Sequence, residues 1–280
     1  MNVNGYEVTD GVLDLRDTVV TVIDNKAFWA QRPIREVLMP VGITHIGDWA
    51  FAKCSNLEKI SFADDFRPGL FGRDVFKGCD NLLSISFADT DDVTARFLAL
   101  CANRLGFDRL IQSDDVGKKS WYEKWDICLA TRIKSDDAEA KMSAALCGEE
   151  DISYDGIGSV DGEMPGEGAD FVSKEAYNRS VLCYIRLSED RYLDDDTRRL
   201  LTEHILENSF NKGTCSSFNA IFEECEGSLS YLRMYLDIVR PDRDTLFEMI
   251  EALGPSNVAA RSYLIKESNS GSDPLADMML

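Results

Sequence analysis

The chain has 280 residues, of which 44% are hydrophobic and 10% aromatic, enough to bury one large core or two modest ones. Its 30 basic and 50 acidic residues give a net charge of −20, which opposes the phosphate neutralisation that nucleic-acid binding requires and disfavours anionic membrane surfaces. No stretch approaches the roughly 18 consecutive apolar residues of a membrane span, so we expect neither a nucleic-acid partner nor a membrane span.

The first elements in the chain are two short apolar segments, residues 12–15 and 19–23, which we expect to be strands that cap the open end of a repeat core. Residues 46–62 then have the sequence IGDWAFAKCSNLEKISF, and residues 71–87 repeat it as FGRDVFKGCDNLLSISF. An incomplete earlier copy spans residues 23–40. The aromatic residues at the centre of the three copies are 23 and 25 residues apart, which is within the range of leucine-rich repeats: Phe28, Phe51 and Phe76.

Each position of the repeat has a physical interpretation. The phenylalanine places an aromatic ring in the core of each repeat, and Cys54 and Cys79 fill tight inner corners. The apolar residues that follow alternate with polar ones, as in a short strand with one buried face. A single copy is too small to fold alone, so its stability depends on stacking against its neighbours.

These copies resemble the BspA-type leucine-rich repeat over about residues 20–90. The resemblance implies a short solenoid and a role in binding, and many BspA-like proteins are surface molecules of bacteria. The first copy departs from the pattern, with Asp24 in place of glycine, Gln31 in place of cysteine and Pro40 closing its strand. Terminal repeats are commonly atypical in this way.

If the strands stack in register, the residues between the inward-facing ones share one exposed sheet face. The resemblance implies that this concave face is a usual binding surface for a protein or peptide. The alternative is an ordinary solvated sheet face, because its side chains are small and weakly charged. The residues predicted to contact a partner are Glu36, Leu38, Lys59, Ser61, Ser84 and Ser86.

From about residue 91 the apolar residues follow the period of amphipathic helices. We therefore predict a fold of class α+β, with a leucine-rich-repeat solenoid and its N-terminal cap over residues 1–90 and an all-α domain over residues 91–268. Residues 121–133 and 176–187 are similar to each other, which favours a helical repeat of stacked hairpins; a compact bundle and chance similarity are the alternatives. The predicted helices are 93–105, 120–133, 136–146, 173–187, 195–208, 216–225, 229–239, 243–253 and 256–266.

Two segments are too polar and glycine-rich to bury a core. Residues 155–168 are predicted to form an acidic loop, and residues 269–280 a disordered tail. Asp151, Ser153 and Asp155 resemble the first half of a calcium-binding loop, but position twelve is Gly162 and not the bidentate glutamate. We therefore expect a solvated loop.

Catalytic signatures are missing from the sequence. The two histidines, His45 and His204, stand in no zinc-binding motif, and no nucleophile elbow or phosphate-binding loop occurs. We predict no catalytic residue, no metal and no cofactor. The aromatic cluster of residues 121–125 has helical spacing, which favours a place in the core over an exposed patch.

The sequence therefore predicts a non-catalytic scaffold that binds a protein or peptide whose identity is unknown. The alternatives are an adhesin-like cell-surface fragment and an enzyme with an unrecognised site in the helical domain. Most of the eight cysteines lie among apolar residues, as is typical of reduced core thiols; disulfides are the alternative. Because residues 1–20 lack a charged start followed by an apolar run, we expect a cytoplasmic protein, or an extracellular one if a leader has been removed.

Overall fold

The computed structural model describes residues 2–3, 5–135, 167–223, 228–255 and 257–270. The strands all lie in the N-terminal part of the described chain, and seven of the eight helices begin after residue 118. The strands are β1 Asn2–Val3, β2 Tyr6–Thr9, β3 Val12–Asp14, β4 Val22–Ile23, β5 Glu36–Leu38, β6 His45–Ile46, β7 Lys59–Ser61 and β8 Ser84–Ser86. The prediction of strands followed by helices is confirmed.

The main sheet has six strands in the order β1-β2-β3-β5-β7-β8. Strands β1, β2 and β3 pair antiparallel, whereas β3, β5, β7 and β8 are parallel neighbours, each about one repeat further along the chain. A second, smaller sheet pairs β4 with β6 in parallel, and a single bridge from Ile46 to Phe71 continues the same arrangement into the third copy. Each of these copies therefore contributes two short extended segments that pair with the equivalent segments of its neighbours.

The prediction that residues 12–15 and 19–23 are capping strands is wrong. Strand β3 forms a parallel ladder with β5, and β4 forms one with β6, so both belong to the repeat sheets. The antiparallel strands β1 and β2 occupy the end of the sheet instead. A strand segment joins a parallel ladder when the facing backbone offers matching donors and acceptors, which a linear pattern of apolar residues does not reveal.

The core of the repeats consists of residues that face inward from the parallel strands and from the turns between them. Leu13, Val37, Ile60 and Ile85, at the centres of the four strands, are completely buried. The ring of Phe51 stacks between the two other repeat phenylalanines, with centroid distances of 5.1 Å to Phe28 and 6.1 Å to Phe76. Both repeat cysteines are buried, and each thiol donates a hydrogen bond to a phenylalanine carbonyl of the preceding copy.

Helix α1, Asp92–Leu100, packs against β8 and covers the last strand of the sheet. It begins after Asp91, whose side chain accepts a hydrogen bond from the backbone N–H of Thr94. A π-helical turn, Cys101–Leu105, and a 3-10 helix, Asp108–Gln112, follow, and helix α2 spans Lys119–Lys134. The aromatic residues at the start of α2 are completely buried, as predicted: Trp121, Tyr122 and Trp125.

The chain divides into two compact units. The first contains Met1–Arg132 with Arg191–Leu193, and the second contains Ile133–Asp190 and Asp194–Leu280. The predicted boundary at residue 90 follows the change from strands to helices, whereas the units divide about forty residues later. Helix α1 packs on β8, and Tyr122 and Trp125 of α2 pack on Phe97 of α1, so both helices join the first unit.

The described part of the second unit is helical. It contains α3 Glu167–Ser188, α4 Asp195–Glu207, α5 Ser216–Glu223, α6 Leu229–Val239, α7 Arg243–Ala252 and α8 Val258–Ser270. Helix α3 packs on α4 and α5, and α8 packs on α7. The similar sequences 121–133 and 176–187 thus lie mainly in different units, the first in α2 and the second in α3.

Two predicted segments need correction at their ends. Glu167 and Gly168, the last residues of the predicted acidic loop 155–168, are the first residues of α3, and residues 269–270 of the predicted tail are the last turn of α8. A helix extends into polar sequence when its neighbouring turns are already packed, since each added residue gains one backbone hydrogen bond. The predicted helix 136–146, the calcium-loop candidate 151–162 and residues 271–280 lie outside the described residues.

Within the described residues, six cysteines are free thiols, and four of them are buried. Burial raises the pKa of Cys54 to about 11, which keeps its thiol protonated and unreactive. This agrees with the predicted role of the cysteines as small core residues. No helix in the same part of the chain has both the length and the apolar character that a bilayer crossing requires.

Candidate functional site

The parallel registers align the predicted partner-binding residues in two rows across the exposed face of the sheet. Glu36 pairs with Lys59, and Lys59 pairs with Ser84, so these three residues form one row. The second row has the same form and contains Leu38, Ser61 and Ser86. Strand β3 lengthens the rows with Val12 and Asp14, which the sequence analysis did not include because it treated that segment as a cap.

The exposed face results from the alternation of side chains along each strand. In every one of the four parallel strands the middle residue is buried and the two flanking residues are exposed or half-buried. All six predicted residues therefore lie on one face of the sheet. Their role in binding stays a prediction.

The chemistry of this face is mixed. The Ser86 hydroxyl donates a hydrogen bond to the Ser61 hydroxyl at 3.2 Å, and half-buried Leu38 is an apolar element beside this pair. Lys59 is exposed and forms no ion pair with any described residue within 4.0 Å. A partner can therefore engage a lysine, two hydroxyls and an aliphatic side chain without first breaking a salt bridge at the lysine.

A shallow groove of about 210 Å³ lies where the strands begin. Across it, Arg35 forms an ion pair with Glu58 at 2.6 Å. The backbone N–H groups of these two residues form the same type of hydrogen bond, each to the preceding copy. The carbonyl of Gly11 accepts hydrogen bonds from the N–H groups of Arg35 and Glu36, and the Arg35 carbonyl accepts two from the next copy in the same way. The groove is lined by Asp10, Val12, Arg35, Glu36, Glu58 and Lys59.

The sequence analysis missed four of these groove residues, since they precede the strands or belong to β3. A usable signal was present in the repeat itself. Arg35 and Glu58 occupy the same position in successive copies, immediately before the strand, and carry opposite charges. Equivalent positions of stacked repeats are neighbours in space, so opposite charges there predict an ion pair across the strands.

The helical unit offers two further cavities, of about 450 and 380 Å³. Leu236, Arg240 and Arg243 help to line the first, and Arg198, Arg233 and Asp237 help to line the second; neither is lined by His204. That histidine is 9% exposed on α4, and burial, with the positive charge of Arg179, lowers its pKa to about 4. Across the described ranges, no group of three or more histidine, cysteine or acidic residues has the geometry to hold a metal ion.

Residues 13–102 match the family model of the BspA type leucine rich repeat region, in six copies. The N-terminal part of this chain is a BspA-type leucine-rich-repeat region. The match begins before residue 20 and ends after residue 90, so it includes most of β3 and all of helix α1, which lie outside the three copies predicted from the sequence. No curated protein and no solved structure matches the chain.

Proposed function

We propose that this protein is a non-catalytic scaffold that binds a protein or peptide on the exposed face of its parallel sheet. In the proposed arrangement the BspA-type repeats form a short solenoid, and the rows across β3, β5, β7 and β8 are its recognition surface. The family favours a repeat-based scaffold of protein-binding or adhesin-like type. The observation that carries the proposal is the register that aligns the six predicted residues on one face beside the groove.

The size of the face limits the kind of ligand. Four parallel strands spaced by about 4.8 Å give a surface roughly 15 Å wide, which suits a short peptide segment or a protruding loop better than a broad protein face. Lys59 and the ion pair of Arg35 with Glu58 line the groove where the strands begin, and half-buried Leu38 lies in the second row of the same face. The groove supplies polar selectivity, and the aliphatic side chain supplies apolar contact area.

The test uses the double variant Lys59→Glu with Ser61→Arg in the full chain. Both side chains point away from the core, so folding measured by circular dichroism should be unchanged. Capture of partners from the source organism, quantified against the unmodified protein, should fall because a charge is reversed and a bulky side chain is placed in the second row.

The matched control makes the same chemical changes on the exposed surface of α8, as Lys266→Glu with Ser262→Arg. These two residues are one helical turn apart and exposed, so the new pair is well tolerated. Capture should stay at the level of the unmodified protein. Capture that is equal in the sheet variant, the control and the unmodified protein would exclude the sheet face as the recognition surface.

A further inference from the structure

The turns of the repeats carry a second surface, made of alternating cations and tryptophans. The ammonium group of Lys26 lies 5.2 Å from the ring centroid of Trp29 and 5.4 Å from that of Trp49. Lys53 lies over Trp29 at 5.2 Å, and the guanidinium of Arg73 lies over Trp49 at 4.4 Å. We call these five residues the cation–tryptophan row.

The backbone of the repeats fixes this row. Lys26, Trp49 and Lys53 have positive φ angles of 57°, 54° and 60°, a conformation that the adjoining copies hold by hydrogen bonds. The N–H of Lys26 donates to the carbonyl of Asp48 at 2.9 Å, and the N–H of Lys53 donates to the carbonyl of Lys77 at 2.7 Å. The side chains are thus presented on a rigid frame, which lowers the entropy that a ligand must overcome.

The positive charges of the row are incompletely neutralised. Lys26 and Lys53 both approach the ring of Trp29, and neither forms an ion pair within 4.0 Å with any residue that the structure describes. The Arg73 guanidinium lies 3.8 Å from the carboxylate of Asp74. The Asp48 carboxylate accepts a hydrogen bond from the Arg73 N–H. A cationic row is unexpected in a chain of net charge −20 and is electrostatically complementary to an anionic ligand.

We propose that the cation–tryptophan row binds an acidic peptide segment of a partner protein. Two cations lie over each indole ring and occupy the faces on which a sugar ring would stack. A ligand can therefore contact the ammonium and guanidinium donors and the edges of the rings. The cations come from three successive copies, and the contacts run in the order Arg73, Trp49, Lys26, Trp29, Lys53, so one acidic segment can meet several cations with successive carboxylates. This surface is separate from the rows of the sheet face. Binding at the cation–tryptophan row is therefore tested independently of the proposed function.

The experiment measures binding of a fluorescein-labelled oligoglutamate peptide to the full chain at low ionic strength. The affinity should fall steeply with added salt, since the contacts are between exposed charges. The double variant Lys26→Glu with Lys53→Glu should weaken binding at least about tenfold. The control Lys118→Glu with Lys266→Glu changes the net charge equally at exposed positions elsewhere and should bind like the unmodified protein.

A second readout locates the peptide. Of the four tryptophans, Trp121 and Trp125 are completely buried, so acrylamide quenching of the unlabelled protein reports mainly on Trp29 and Trp49. Bound oligoglutamate should reduce that quenching. Absence of binding at low salt, or equal weakening in the control variant, would overturn the proposal. Binding of oligogalacturonate in preference to oligoglutamate would overturn the peptide assignment in favour of an acidic polysaccharide.

Discussion

At the scale of single residues, the repeat is defined by positions where one copy touches the backbone of the previous one. A Cβ added at Gly72 would lie 2.8 Å from the backbone N of Asp48, closer than real contacts allow. The Asp48 side chain in turn accepts a hydrogen bond from the backbone N–H of Arg73 at 2.8 Å, and Asn25 accepts one from Asp48 in the same way. The first copy has Asp24 at the glycine position, directly after β4, and β4 is an edge strand that pairs with β6 and has no earlier copy beside it among the described residues. Glycine is therefore required only where a preceding copy is stacked.

We expect Gly72→Ala to destabilise the first unit by roughly 1–3 kcal/mol or more, because the new methyl group forces two copies apart. Gly69→Ala is the control, since Gly69 has a φ of +75° but open space around its Cβ position. Its cost should be limited to backbone strain, about 1 kcal/mol. Urea unfolding followed by tryptophan fluorescence measures both, because all four tryptophans lie in the first unit. Equal losses in the two variants would contradict the close approach at Gly72.

At the scale of elements, short strands of two to four residues become stable only as parts of ladders. The centre of each parallel strand is an aliphatic residue that is completely buried, and the phenylalanines form a second stack behind them. The repeat pattern predicted both stacks, because equivalent positions of successive copies must meet. It did not predict that β3 continues the ladder, since residues 12–15 lack the phenylalanine and cysteine that mark a full copy.

Phe51 is the central ring of its stack, so we expect Phe51→Ala to lower the free energy of unfolding of the first unit by roughly 3–5 kcal/mol. The ring is completely buried and contacts the equivalent rings on both sides. Phe51→Leu refills most of the volume and should cost clearly less. The same fluorescence-detected urea unfolding gives the values. A loss below about 1 kcal/mol for the alanine variant would mean that the repeats do not share this core.

At the scale of the whole molecule, the two compact units differ in what they bury. The core of the first unit is formed largely by repeat positions, whereas the second buries more polar side chains, among them Arg186, Ser216 and Ser217. Their hydrogen bonds run between elements: the Tyr184 hydroxyl donates to the carbonyl of Ser217, and the Ser217 hydroxyl donates to the carbonyl of Asn208. Such a network specifies one packing of the helices, since each buried polar group needs its partner.

The stability of the second unit should depend on pH through His204. Its Nε2 is buried without a hydrogen-bond partner among the described residues, and burial, together with the charge of Arg179, lowers its pKa from 6.5 to about 4. Between those values the unfolded chain binds a proton that the folded unit excludes. The free energy of unfolding therefore falls as the pH drops from 6.5 to 4, by at most roughly 3 kcal/mol.

Urea unfolding followed by far-ultraviolet circular dichroism at pH 7 and pH 5 measures this dependence in the helical unit. The variant His204→Phe removes the titrating group and should flatten the curve in this interval. Ion-paired carboxylates do not produce this pH dependence. Their pKa is lowered in the folded state, so the stability that they contribute is lost only at lower pH. An identical slope in the variant would show that His204 is not the group responsible.

The sequence by itself determined the repeats, the alternation of buried and exposed side chains along their strands, the burial of the aromatic residues at the start of α2 and the positions of most helices. These features follow from periodicity and local geometry, which neighbouring residues set. Only the tertiary structure decided that β3 extends the sheet, that Lys26 and Lys53 gather around Trp29, and that α1 and most of α2 belong to the same compact unit as the repeats. Those outcomes depend on contacts between segments that are tens of residues apart in the sequence. Such contacts produce no periodic pattern of residues from which they could be predicted.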